Sequence, residues 1–204
     1  AYNVPRAARI HGPLDVAALQ AALDALVERH EILRTTYEQR TDGSVQVVNP
    51  ARPVSLEIVD LTTVVPAAVN GRVEEELGRR AAEPFDLSAD LMLRAALLRV
   101  SAEDAVLLIL THHIASDGWS KTILFRDLGA LYAGFRAGHG SALPELPIQF
   151  ADYAVWDRSA ARTNAQAADL AYWRARLGGP LAALELPTSR ARVPSPGAAA
   201  ACGT

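Results

Sequence analysis

The chain has 204 residues, 50% of them hydrophobic and 21% charged, an ordinary globular balance with enough apolar material for one sizeable core. A formal net charge of −3 leaves no basic footprint, so nucleic acid is excluded as the expected partner. The longest apolar run falls far short of a membrane span and no charged-then-apolar leader opens the chain, so no membrane association is expected.

The sequence opens on Ala1-Tyr2-Asn3-Val4-Pro5 without an initiator methionine and reads as part of a longer polypeptide. Residues 7–11 suit a short strand, stopped by Gly12-Pro13. Asp15 is placed to cap a helix, and Val16, Leu19, Leu23, Leu26 and Val27 recur at helical spacing up to about Glu31. Ile32 to Gln39 reads as a strand, since Thr35, Thr36 and Tyr37 favour extended backbone. Thr41-Asp42-Gly43-Ser44 turns the chain, and Val45, Val47 and Val48 make the hairpin partner. Pro50 and Pro53 break that strand, and Val54 to Val59 makes another. Residues 66–83 are helical in pattern, with Glu74-Glu75-Glu76 and Arg79-Arg80 read as a solvated face of i,i+4 pairs.

Leu91 to Val100 is the next strand. After a turn at Glu103-Asp104, Ala105 to Leu110 is wholly apolar and suits a central strand covered on both faces. Residues 120–136 form a helix with Ile123, Leu124, Leu128, Leu131 and Phe135 inward. Helical segments at about 149–160 and 164–177 carry Tyr153, Trp156, Tyr172 and Trp173. Residues 190–204 are rich in Pro, Ala and Gly and read as a linker or truncated end. The single cysteine, Cys202, lies there. It cannot form an internal disulfide, which fits a reducing compartment and a cytoplasmic location. Strands and helices mix with hairpins and a strand–helix crossover, which gives an α/β or α+β fold on a mixed sheet.

Between the apolar strand and the helix after it runs Thr111-His112-His113-Ile114-Ala115-Ser116-Asp117-Gly118-Trp119-Ser120, the pattern H-H-x-x-x-D-G. A strand end delivers side chains to a cleft, and successive side chains of extended backbone point to opposite sides. One imidazole is therefore expected in the cleft and the other inward; for His112 a hydrogen-bonded core histidine is the plainest reading. Asp117 either orients a histidine or pins the loop through an arginine. Gly118 supports a tight turn, and the first N–H groups of the helix that follows favour negative charge. His, His and Asp are also metal ligands, but adjacent histidines diverge and no other group shows ligand spacing, so no metal is expected.

The motif resembles the signature of the condensation domains of nonribosomal peptide synthetases. Arg29-His30-Glu31-Ile32-Leu33-Arg34-Thr35-Thr36-Tyr37 resembles the family's R-H-E-x-L-R-T-x-F element, with Tyr for Phe. Pro84-Phe85-Asp86-Leu87 followed by Leu93-Arg94 resembles its F-D-L…L-x-R stretch, with Ala89-Asp90 where the family usually has Gly-Pro. Gln149 to Trp156 resembles its Y-x-D-F-A-x-W element, and Tyr172-Trp173 its later Y-W pair. The resemblance implies an α/β (α+β) two-layer sandwich with a mixed sheet, one lobe of a fold like chloramphenicol acetyltransferase. It makes residues 1–187 an N-terminal lobe without its first motif and without the C-terminal lobe, and residues 188–204 a linker or irregular tail.

The implied activity is amide bond formation in nonribosomal peptide synthesis, as in antibiotic and other secondary-metabolite assembly lines. An acceptor aminoacyl amine attacks a donor acyl or peptidyl thioester. No cofactor is bound directly; both substrates ride on phosphopantetheine arms. The implied partners are donor and acceptor peptidyl carrier proteins, an adjacent adenylation domain and the C-terminal lobe, and the isolated piece is expected to be inactive. By the same resemblance His113 is the catalytic residue, while His112, Asp117 and Gly118 support the loop. Asp117 pairs with an arginine, nominated by position as Arg34 and after it Arg94. Alternatives are an epimerisation or ester-forming domain of the same fold, or a non-catalytic carrier-protein docking module. Heterocyclising domains, with paired aspartates at the motif, do not fit His112-His113.

Overall fold

A computed structural model describes residues 2–179. The chain divides into two compact units, residues 1–158 and 159–204. The tail expected at 188–204, and Cys202 with it, lies outside the described residues.

The first unit holds six strands, β1 (Asn3–His11), β2 (Thr35–Arg40), β3 (Gly43–Val48), β4 (Leu56–Asp60), β5 (Leu93–Ser101) and β6 (Asp104–His112). It also holds the helices α1 (Val16–Arg29), α2 (Pro66–Ala82), α3 (Gly118–Arg136) and α4 (Phe150–Asp157). Four strands form one sheet in the order β1-β6-β5-β4. β6 runs antiparallel to both β1 and β5, whereas β4 is parallel to β5 across the α2 crossover, so the sheet is mixed as the sequence predicts. β2 and β3 form a separate hairpin, closed where Gly43 adopts a φ of 130° that costs glycine little.

The apolar run of β6 lies in the interior of the sheet. Ala105, Leu107 and Ile109 join the core under α1 and α3, while Val106 and Leu108 join Val69 and Val73 of α2 on the other face. α1 begins where Asp15 accepts a hydrogen bond from the Ala18 N–H, 2.9 Å, and it buries Leu19, Leu23, Leu26 and Val27. Fully buried side chains of this size each contribute about 2 kcal/mol. Leu23, Leu26, Leu97 and Leu131 therefore fix the helix layer onto the sheet. Among the described residues no helix is long and apolar enough to cross a membrane.

Three expectations are corrected. β1 starts at Asn3 rather than Ala7, because an edge strand tolerates Pro5. Glu31–Arg34 is a 3-10 turn rather than the start of a strand. Its end is fastened by the Thr35 hydroxyl, which donates to the Glu31 carbonyl at 2.8 Å. The charged row of α2 is not wholly solvated: Glu76 and Arg80 are buried, 7% and 5% exposed, and Arg80 bridges Glu76 to Glu57 on β4.

In the second unit α5 (Ala160–Leu177) starts where Ser159 accepts from the Arg162 N–H. Leu170, Tyr172, Trp173 and Leu177 are exposed on it.

Candidate active site

β6 carries the motif further than its apolar run. The strand extends to His112, paired with Asn3 of β1, and the chain leaves the sheet only at His113. His112 ends the strand half-buried, edge-on to Phe85 and Tyr2, with ring centroids 5.8 and 6.4 Å away. Its Nδ1 accepts from the Ile114 N–H at 3.1 Å, which puts the proton of the neutral ring on Nε2. Burial, and then the neighbouring His113, lower its pKa below the usual imidazole range.

The turn behind His113 is closed by local bonds. The His112 carbonyl accepts from the Ala115 N–H at 3.0 Å and the Ser116 hydroxyl at 3.2 Å, and Ser116 Oγ lies 2.6 Å from Thr111 Oγ1. The His113 N–H donates to the Tyr2 carbonyl, 2.8 Å, tying the turn to the start of β1. The His113 side chain is exposed and, with Tyr2, His112 and Ile114, lines an open cavity of about 400 Å³. Among the described residues no side chain hydrogen-bonds its ring.

Asp117 caps α3. It accepts from the Ser120 N–H at 2.8 Å and the Ser120 hydroxyl at 2.6 Å, and its own N–H donates back to that hydroxyl. These bonds hold its carboxyl below the usual range. It therefore neither orients His113 nor meets the nominated arginines. Arg34 donates to the Asn49 carbonyl and to Glu31, and Arg94 to the carbonyls of Glu83 and Pro84 and to Asp90. The terminal nitrogens of Arg34 and the guanidinium of Arg94 thus meet other partners, while Arg34 Nε is buried without one, and neither the Arg34–Asp117 pairing nor the Arg94 alternative is formed. Arg94 instead stacks 4.2 Å from the centroid of Phe85, the ring against His112. Gly118 opens α3 without a left-handed φ, and an added Cβ would meet nothing within 4 Å. The turn itself thus does not demand a glycine, contrary to the sequence reading.

One residue that sequence reasoning missed is Asp127, fully buried on α3. It accepts from Arg29 Nε at 3.1 Å and from Arg126 at 2.8 Å, and lies 3.0 Å from His30 Nε2, which fastens the end of α1 to α3. Burial alone would raise its carboxyl, but the bonds from Arg126, His30 and Arg29 hold it low. His30 is lowered by burial in spite of the Asp127 bond. The available signal was an acidic residue on the inward stripe with Leu124, Leu128 and Leu131, where a charge must be paired.

A family model, the condensation domain, matches residues 1–200. The chain belongs to the condensation-domain family. Among curated condensation-domain relatives, a linear gramicidin synthase polypeptide of Brevibacillus parabrevis is 44% identical over 192 residues, covering 94% of this chain and 4% of that protein. Chondramide synthase cmdD of Chondromyces crocatus is 38% identical over 192 residues, 94% of this chain and 5% of that one. The crystal structure of the X-domain from teicoplanin biosynthesis superposes with a TM-score of 0.79 at 35% identity, covering 94% of this chain and 42% of that one. The starter condensation domain of rhizomide synthetase, at 23% identity and a TM-score of 0.75, shares the fold. The mixed α/β lobe is thus the condensation-domain fold. The chain spans 4% and 5% of the two synthetases and 42% of the solved X-domain.

Proposed function

We propose that residues 1–187 are the N-terminal lobe of a nonribosomal peptide synthetase condensation domain, and that the complete domain joins a donor acyl thioester to an acceptor aminoacyl amine. The observation that carries this reading is the division of the histidine pair. Both border the open cavity at the end of the central strand, but His112 Nδ1 is used by the Ile114 N–H, whereas among the described residues no side chain bonds the His113 ring.

In the proposed step the acceptor nitrogen attacks the donor carbonyl carbon, an N–C bond forms and the C–S bond breaks. The proton shed by the amine passes to His113 and on to the leaving thiolate, so the imidazole ends as it began. It is suited to orient a neutral amine and to take the proton as attack makes the nitrogen acidic, worth about 10²–10⁴-fold in rate. The thioester is already activated, and holding both arms in line supplies much of the rest. The space beside Gly118, at the start of α3, is where the donor carbonyl meets helix N–H groups.

The second lobe closes the cavity over His113, and this chain alone is inactive or nearly so. The partners of the reading are the donor and acceptor peptidyl carrier proteins and an adjacent adenylation domain, all cytoplasmic. Both substrates arrive on phosphopantetheine arms. The test is mass spectrometry of the carrier arms after mixing the complete domain with both loaded carriers. The reading expects an amide on the acceptor arm and an emptied donor arm. Cα deuterium uptake from heavy water with no amide would instead identify an epimerisation domain, and unchanged arms would exclude both chemistries.

A further inference from the structure

Asn3 stands at the first rung of β1, an edge strand, and pairs there with His112 at the last rung of β6. Its side-chain amide leaves the sheet and crosses to the end of α2. Nδ2 donates to the Ala81 carbonyl at 2.8 Å and to the Glu83 carbonyl at 2.7 Å. α2 ends at Ala82 with Glu83 as its C-cap, and the last carbonyls of a helix have no intrahelical donor. An asparagine amide carries two N–H donors, and both are spent on these two carbonyls. Since both partners are acceptors, the amide nitrogen, not its oxygen, faces them.

The histidine turn lies one peptide group away from this clamp. The Tyr2 carbonyl, on the peptide that precedes Asn3, accepts from the His113 N–H at 2.8 Å. The end of an edge strand is paired on one side only and frays readily, and Asn3 fastens it from α2. The chain beyond Glu83 runs through Pro84 to Phe85, whose ring centroid lies 5.8 Å from that of His112. Arg94 donates to the Glu83 and Pro84 carbonyls and so holds the same bend from β5. One amide thus joins the backbone partner of His113 to the segment that seats a ring against His112.

We propose that Asn3 is a positioning residue for His113, a reading that rests on the amide-forming function above. It is not a catalytic residue, because its donors are used by α2. It sets where the Tyr2 carbonyl stands, and through that bond the backbone from which the His113 ring projects. Among the described residues no side chain bonds the His113 ring, so the backbone carries its placement. A displacement of about 1 Å at a reacting group can cost about 10²-fold in rate.

The test is Asn3→Asp in the complete domain. The substitution keeps the shape of the side chain, removes both donors and sets a carboxylate against the negative end of α2. With loaded carriers, kcat is expected to fall by about tenfold to 10²-fold while the KM for each carrier is unchanged. Backbone deuterium uptake is expected to rise in the peptide covering residues 111–117. Asn3→Ala carries the same test without the charge if the first variant does not fold. A folded variant with kcat near that of the wild type would overturn the proposal. So would a lower kcat with unchanged uptake over residues 111–117, or uptake raised equally throughout the domain, the mark of a merely structural residue. No amide from the unsubstituted domain would instead overturn the functional reading, and the positioning role with it.

Discussion

The two adjacent histidines differ in what engages them because β6 ends between them. His112 still obeys strand alternation, so its ring meets Phe85 and its Nδ1 is used by the Ile114 N–H. A proton on that nitrogen would cost the bond, in keeping with its lowered pKa. His113 has left the strand, and among the described residues its backbone alone is tied down, by Tyr2. Asp117 is bound to Ser120 and reads as an anchor of α3 rather than a base. We predict that Asp117→Asn, which keeps a strong N-cap, leaves the thermal midpoint near that of the wild type, whereas Asp117→Ala lowers it. In the complete domain Asp117→Asn is expected to retain amide formation. A folded Asp117→Asn domain without turnover would contradict the anchor role.

At the scale of the elements, the motif loop depends on how α1 and α3 are joined, and Asp127 is the joint. Asp127→Ala leaves Arg29 and His30 without their buried partner and should lower stability by about 3 kcal/mol in urea titration. Arg126→Ala, at a side chain 68% exposed, should cost no more than about 1 kcal/mol. The same cluster fixes a pH dependence. The folded-state pKa of His30 is depressed, as is that of His112, so the unfolded chain takes up protons first as pH falls below about 6.5 and stability declines there. Asp127, also depressed, adds stability that is lost only at lower pH, as it falls from the ordinary carboxylate value near 3.9 through the folded one. Thermal midpoints should be lower at pH 5 than at pH 7; a rise on acidification would contradict the assignment.

The elements with one strong local period were legible: the α1 stripe, the apolar β6 run, the Gly43 turn. What was not legible depended on partners distant in the chain. Thr35 to Tyr37 drew the strand expectation back over Ile32–Arg34, where a 3-10 turn forms instead. Glu76 and Arg80 looked solvated because Glu57, which meets Arg80 from β4, is 23 residues away. Arg34 was matched to Asp117 by motif order, which carries no distance. Strand alternation reaches only to His112, where β6 ends, so the placement of His113 rests on the turn that follows.

At the scale of the whole molecule, this chain matches 42% of the solved X-domain and a few per cent of the synthetases, and the cavity over His113 is open. The proposed activity is therefore a proposal about the complete domain, to which this chain would contribute the histidine and its turn. The most direct test of the central claim, that His113 is the catalytic residue of amide formation, is a single-turnover measurement on the complete domain with both carriers loaded. The account predicts that His113→Ala remains folded by circular dichroism and loses about 10²–10⁴-fold in rate. It predicts that His112→Ala lowers the thermal midpoint and affects the rate mainly through folding. A folded His113→Ala domain forming amide at a near-normal rate would contradict it.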